Sequence, residues 1–126
     1  MPVIDDQRNA IGARGEQLAA EHLQRRGYAI VARNFRTRWG ELDIVACDGE
    51  TLLFCEVKTL RGRSRDRDPL EAVRQGKRRQ VRRMAAQFLA ECRDRPRASE
   101  LRFDVVGVTI DRGGRLLALE HLEGAF

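Results

Sequence analysis

The stretch GELDIVACDGETLLFCEVKT, Gly40 to Thr59, constrains the fold more than any other part of the chain. Two apolar runs flank Asp48-Gly49, a pair that tolerates the positive φ demanded by a tight hairpin turn. With Asp48 and Gly49 as the central residues, Cys47 faces Glu50, Asp43 faces Phe54 and Glu41 faces Glu56. Alternation then puts Glu41, Asp43, Val45, Leu52, Phe54, Glu56 and Lys58 on one face, and Leu42, Ile44, Ala46, Leu53, Cys55 and Val57 on the other. The second face is wholly apolar. The first is apolar near the turn and charged at its far end, although a buried charge costs several kcal/mol unless something compensates it. Asp43 and Glu56 become diagonal neighbours about 7–8 Å apart at Cα, a gap that two carboxylates bridge by sharing one hard cation. Without such an ion, one of them would be driven to take up a proton.

The remaining elements follow from periodicity. Asn9 is placed to cap a helix running to about Arg26 and ended by Gly27, with residues 1–8 as a flexible lead and Ile11, Leu18, Ala19, His22 and Leu23 as its apolar stripe. Tyr28 to Ala32 alternates as a short strand, and Asn34 to Arg38 reads as a connection. Leu60 to Asp68 has no periodicity and reads as an exposed loop. Pro69 suits the first turn of a second helix, about 69–93, with Leu70, Val73, Val81, Met84, Ala85, Phe88, Leu89 and Cys92 at helical spacing. Two strands, Leu101 to Ile110 and Arg115 to His121, flank the turn at Asp111-Arg112-Gly113-Gly114. The order αβββαββ predicts an α/β fold, a mixed central sheet flanked by helices, as one domain over residues 1–126.

Composition narrows the function. At 42% hydrophobic and 34% charged residues, the chain has no run long enough to span a membrane and no secretory layout at its start, so a cytoplasmic protein is expected. Cys47, Cys55 and Cys92 offer neither a disulfide framework nor zinc-ligand spacing. The net charge of +5 is localised. Between Arg61 and Arg83, ten Lys or Arg stand against Asp66, Asp68 and Glu71. Arg61, Arg63, Arg65 and Arg67 on the loop, with Arg74, Lys77, Arg78, Arg79, Arg82 and Arg83 on the second helix, read as a surface that tracks phosphates. Lys77 falls on the apolar stripe beside Gln80, where a snorkelling lysine is as reasonable as a phosphate contact. No aromatics interleave with these cations, so stacking on single-stranded bases is not indicated. His22 reads as a core histidine, and His121 has no partner at metal-ligand spacing.

Asp43 followed by Glu56-Val57-Lys58 on the adjacent strand resembles the PD-(D/E)xK nuclease superfamily. A longer pattern is similar to the small YraN family, related to archaeal Holliday-junction resolvases: Gly15-Glu16, Gly27-Tyr28, Asn34-Phe35-Arg36, Gly40-Glu41-Leu42-Asp43, Phe54 to Thr59, Glu71-Ala72-Val73, Lys77, Arg102 to Val106 and Ala125-Phe126. The resemblance covers nearly the whole chain from about Gly12. It implies a restriction-endonuclease-like core and a metal-dependent DNA endonuclease that hydrolyses phosphodiester bonds, with branched or otherwise structured DNA as substrate and a homodimer as the working form. Carried over by position, it implies Asp43 and Glu56 as Mg²⁺ or Mn²⁺ ligands with the Val57 carbonyl, Lys58 acting on the attacking water, and Glu16 reaching the cluster from the first helix. Glu41 and Gln80 are candidates to support these residues from behind, and Arg61, Arg63, Arg65, Arg74, Lys77 and Arg78 to hold nucleic acid. Where family members often continue Glu-Val-Lys-Thr-Arg, Leu60 stands here and Arg61 follows. Two readings from other classes remain open: a non-catalytic nucleic-acid-binding module that retains the nuclease fold, and an interaction protein whose positive helix meets an acidic partner.

Overall fold

The computed structural model describes residues 3–62 and 75–126, with the backbone alone for 3–9 and 75–77. Its elements are α1 (Val3–Arg25), β1 (Ala29–Thr37), β2 (Gly40–Cys47), β3 (Thr51–Arg61), α2 (Gln75–Glu91), β4 (Glu100–Ile110) and β5 (Leu116–Leu122). This is the α/β order expected. The five strands form one sheet in the order β1-β2-β3-β4-β5, parallel between β3 and β4 and antiparallel elsewhere. Parallel neighbours need a crossover, and α2 lies in the one between β3 and β4. Among the described residues, no helix is long and apolar enough to cross a membrane.

Each helix covers one face of the sheet. Leu18, Ala19, Ala20 and Leu23 of α1 pack on Ile44, Ala46, Leu53, Cys55, Val106, Val108 and Ile110. Val81, Met84, Ala85 and Phe88 of α2 pack on Val45, Cys47, Leu52, Phe54 and Phe103. Helix α1 approaches β3 closely because Gly15 has no side chain: a β-carbon there would lie 1.8 Å from Thr59 Oγ1. That approach sets Glu16, the next residue, beside the end of β3.

Four local expectations are corrected. Helix α1 begins at Val3 rather than after a cap at Asn9, since no glycine or proline interrupts the helix before Gly12. Strand β1 continues through Asn34 to Thr37, where a connection was expected, because Phe35 pairs with Leu42 and Arg36 with Glu41. The β2–β3 register is displaced: Val45 pairs with Phe54 and Cys47 with Leu52. Asp48 Oδ1 accepts the amides of Glu50 (3.0 Å) and Thr51 (2.8 Å), which makes Asp48 the first residue of the turn and Gly49, at φ 100°, its first central one. The displacement is one residue on each strand, so the face parity survives it.

The fourth correction concerns Leu42, expected on the face of Ile44. It packs instead with the α2 cluster, while Ile44 packs with α1. Between them, β1 contributes Asn34 at φ 55°, the one non-glycine residue in the left-handed region among those described. Asn34 lies opposite the stretch between these two residues, since Arg33 pairs with Ile44 and Phe35 with Leu42.

Candidate functional site

The sheet opens where β2 and β3 separate. Their last Cα pair is Ile44 with Cys55, and one step on, Asp43 Oδ2 accepts the Val57 amide at 2.8 Å. A side-chain carboxylate thus takes a donor that a continued ladder would have paired with backbone. Glu16, Glu41 and Asp43 bring one carboxylate oxygen each to within 4.8 Å of one another. They arrive from α1, the start of β2 and its third residue after Gly40, so the cluster depends on the close α1–β3 packing and on the kink at Asn34.

Asn34 is the residue that sequence reasoning missed. With its amide nitrogen turned toward the acids, the orientation that satisfies both ends of the group, it donates to Glu41 Oε1 at 2.8 Å and to Glu16 at 3.0 and 3.2 Å. The available signal was an asparagine inside an otherwise alternating run, because asparagine occupies positive φ more readily than other side chains with a β-carbon.

Electrostatics follow from crowding these acids. Burial pushes the Asp43 carboxyl up to about 7; the Val57 amide opposes this, and the charges of Glu16, Glu56 and Glu41 add to it. Glu16 is raised as well, first by burial, against the lowering hydrogen bond from Asn34. Glu56 lies outside the trio within 4.8 Å, yet its charge acts on Asp43. Lys58 is exposed and, with Glu16, Val57, Thr59 and Ile11, lines an open groove beside the trio. An oxygen-only donor set fits a hard divalent ion, whose ligands at about 2.0–2.6 Å stand about 3–5 Å from one another. Positive charge there would also relieve the acid that burial has raised.

The other sequence candidates are distributed around this site. Gln80 Nε2 donates to the Trp39 carbonyl, pinning α2 to the β1–β2 turn from which Gly40 and Glu41 emerge. It braces the turn and does not reach the acids through that contact. Arg36 forms an exposed ion pair with Glu41 at 3.7 Å. Arg61 is exposed at the end of β3, and Arg78 is exposed on α2. Arg63, Arg65, Arg67 and Arg74 lie outside the described residues, as does the side chain of Lys77.

The histidines that had no sequence partner find each other. Buried Asp104 accepts from Arg102 Nε and Nη2 at 2.9 Å each, from Gly124 N at 3.0 Å and from His121 Nε2 at 2.7 Å. With His121 Nε2 donating, its Nδ1 in the neutral ring accepts from His22 Nε2, 3.0 Å away. Arg102 also donates to the Tyr28 hydroxyl at 2.8 Å. This chain ties α1, β4 and β5 together away from the acidic trio.

The profile of an uncharacterised protein family, UPF0102, matches residues 15–108, which include Glu16, Asn34, Glu41, Asp43, Glu56 and Lys58. The chain belongs to this family, also known as YraN. It is 47% identical to a UPF0102 protein of Nocardia farcinica over 119 residues, covering 94% of this chain and 91% of that one. A UPF0102 protein of Frankia casuarinae is 48% identical over 94% of this chain and 98% of its own. Similarity extends to Chlorobaculum tepidum, whose UPF0102 protein is 44% identical over 92% of this chain and 91% of its own. The UPF0102 chain described here thus aligns with these relatives over nearly their full length.

Proposed function

We propose that this UPF0102 protein is a divalent-metal-dependent nuclease that hydrolyses DNA phosphodiester bonds, with branched or otherwise structured DNA as its substrate class. The observation that carries the reading is the convergence of Glu16, Glu41 and Asp43 within 4.8 Å, in a sheet opening that also presents Lys58. Asp43, beside Glu16 and Glu41, would hold Mg²⁺ or Mn²⁺ together with Glu56 and the Val57 carbonyl, the ligands that the resemblance implies. A bound divalent ion would polarise the phosphoryl oxygen and lower the pKa of attacking water. Lys58 orients that water and offsets charge developing on the phosphate. Asn34 keeps Glu16 and Glu41 side by side, and Gln80 braces the turn that delivers Glu41.

The test is cleavage of end-labelled four-way, flapped and linear DNA by purified protein with Mg²⁺ or Mn²⁺, beside Asp43→Ala and Lys58→Ala. Metal-dependent products absent from both variants support the nuclease. Binding without cutting on every substrate transfers the reading to a non-catalytic nucleic-acid-binding module.

A further inference from the structure

We infer that Arg14, Arg61 and Arg112 form a second anion site, a groove that holds a backbone phosphate of the DNA next to the one being cut. This rests on the reading above for its ligand, and on independent geometry for its position. The three arginines come from α1, the end of β3 and the β4–β5 turn, and line one open groove with Ile11, Asp111 and Gly114. Ile11 also lines the groove that contains Glu16 and Lys58, so the two depressions adjoin at this residue of α1.

The charge in this groove is only partly compensated, three arginines standing against the single acid Asp111. Arg14 Nε donates to the Gly114 carbonyl at 2.9 Å, and its stem lies against Gly114. That contact fixes the guanidinium while leaving its terminal nitrogens without a protein partner among the described residues. Neither Arg61 nor Arg112 is in an ion pair among the described residues. The one acid present, Asp111, spends Oδ1 on the amides of Gly113 (2.8 Å) and Arg115 (2.9 Å), which close the turn. Three exposed arginines against one acid leave the lining of the groove net positive, and guanidinium matches phosphate through paired N–H donors. A DNA strand that crosses the acidic site and runs along α1 would meet this groove with its next phosphates.

The experiment measures binding of a fluorescein-labelled DNA duplex by anisotropy in EDTA across a salt series. Arg61→Gln and Arg112→Gln are each expected to weaken binding several-fold and to reduce the slope of log K against log salt by about one, the change for one lost phosphate contact. Arg61→Lys should restore most of that slope. Arg93→Gln and Arg97→Gln, charge-matched changes near Leu52 at the opposite end of β3, should leave it unchanged. Unchanged slopes in Arg61→Gln and Arg112→Gln, or equal losses in the controls, would overturn the inference. Because EDTA suppresses cutting, the two readings fail separately. Slopes that fall as expected in a protein that cuts no substrate retain the groove and discard the nuclease; cutting with unaltered slopes discards the groove alone.

Discussion

Gly15 and Thr59 occupy space that would otherwise hold one β-carbon: an added Cβ on the glycine would stand 1.8 Å from Thr59 Oγ1 and 2.8 Å from Thr59 Cβ. Gly→Ala inside a helix ordinarily stabilises by about 0.5–1 kcal/mol. Here the clash reverses the sign, because a β-branched strand residue cannot swing clear, and Gly15→Ala should cost about 1–3 kcal/mol. Gly12, one turn earlier, has nothing within 4 Å of its virtual Cβ, so Gly12→Ala should stabilise. Urea unfolding of both variants checks the pair. Thr59→Ala should recover part of the Gly15→Ala loss, and a strictly additive double variant would refute the proposed contact.

Asp43 makes stability depend on pH in the direction opposite to most carboxylates. Its folded value is raised to about 7 from 3.8, so the folded chain binds the proton more tightly than the unfolded one. The resulting stability is fully present below the unfolded value and is lost as pH rises through the folded one. Asp43→Asn, neutral at every pH and still able to accept the Val57 amide, should exceed the wild type at pH 8 in EDTA by on the order of 1–3 kcal/mol. At pH 4 the advantage should nearly vanish. Equal advantages at both pH values would remove burial of this carboxylate as the cause.

Much of the architecture was readable because it rests on local pattern. The strands Leu101 to Ile110 and Arg115 to His121 fall within a residue of β4 and β5, and the Val81, Met84, Ala85 and Phe88 stripe is the face α2 buries. What escaped depends on single backbone angles and distant partners. Asn34 stands at φ 55° inside β1, where a periodicity argument stops the strand, and strict alternation along β2 leaves Leu42 on the wrong face. For the site, pairing arithmetic singled out Asp43 and Glu56, whereas the oxygens brought together are those of Glu16, Glu41 and Asp43. Helix packing decides the position of Glu16, and pairing rules contain no information about helix packing. His22 and His121 lie far apart in sequence, with no local signal for their hydrogen bond.

Asn34 separates two roles, a backbone angle and an amide, and substitutions divide them. Asn34→Gly keeps the positive φ without the amide, so Glu16 and Glu41 lose their shared donor; in EDTA at pH 8 it should cost about 1–2 kcal/mol. Asn34→Asp adds a further negative charge to the acids and should be the least stable variant under those conditions. Mg²⁺ should then raise the melting temperature of Asn34→Asp more than that of the wild type, since an added cation relieves the larger repulsion. Thermal melts with and without Mg²⁺ decide the matter; an Asn34→Gly protein as stable as the wild type in EDTA would remove the bridging role.

The Asp104 network should govern stability in mild acid. Burial opposes ionisation of Asp104, yet the hydrogen bonds from His121, Arg102 and the Gly124 amide hold its pKa below 3.8. Its contribution is therefore present above that ordinary value and lost only as pH falls through the lower folded one. His22 titrates first: burial, then the charges of His121, Arg26 and Arg25, lowers it from 6.5. The folded state resists the proton that the unfolded state accepts, so stability present above 6.5 declines as pH falls through the folded value. Measured in the Asp43→Asn background, which removes the opposing trend, unfolding free energy should fall between pH 7 and pH 5, and His22→Gln should flatten that fall. Asp104→Asn should cost about 3–5 kcal/mol at pH 7, because it leaves Arg102 without its buried counter-charge. A pH slope unaltered by His22→Gln would assign the mild-acid loss to another group, whereas an Asp104→Asn protein of wild-type stability would show that Arg102 finds sufficient compensation in Glu123, 3.7 Å away.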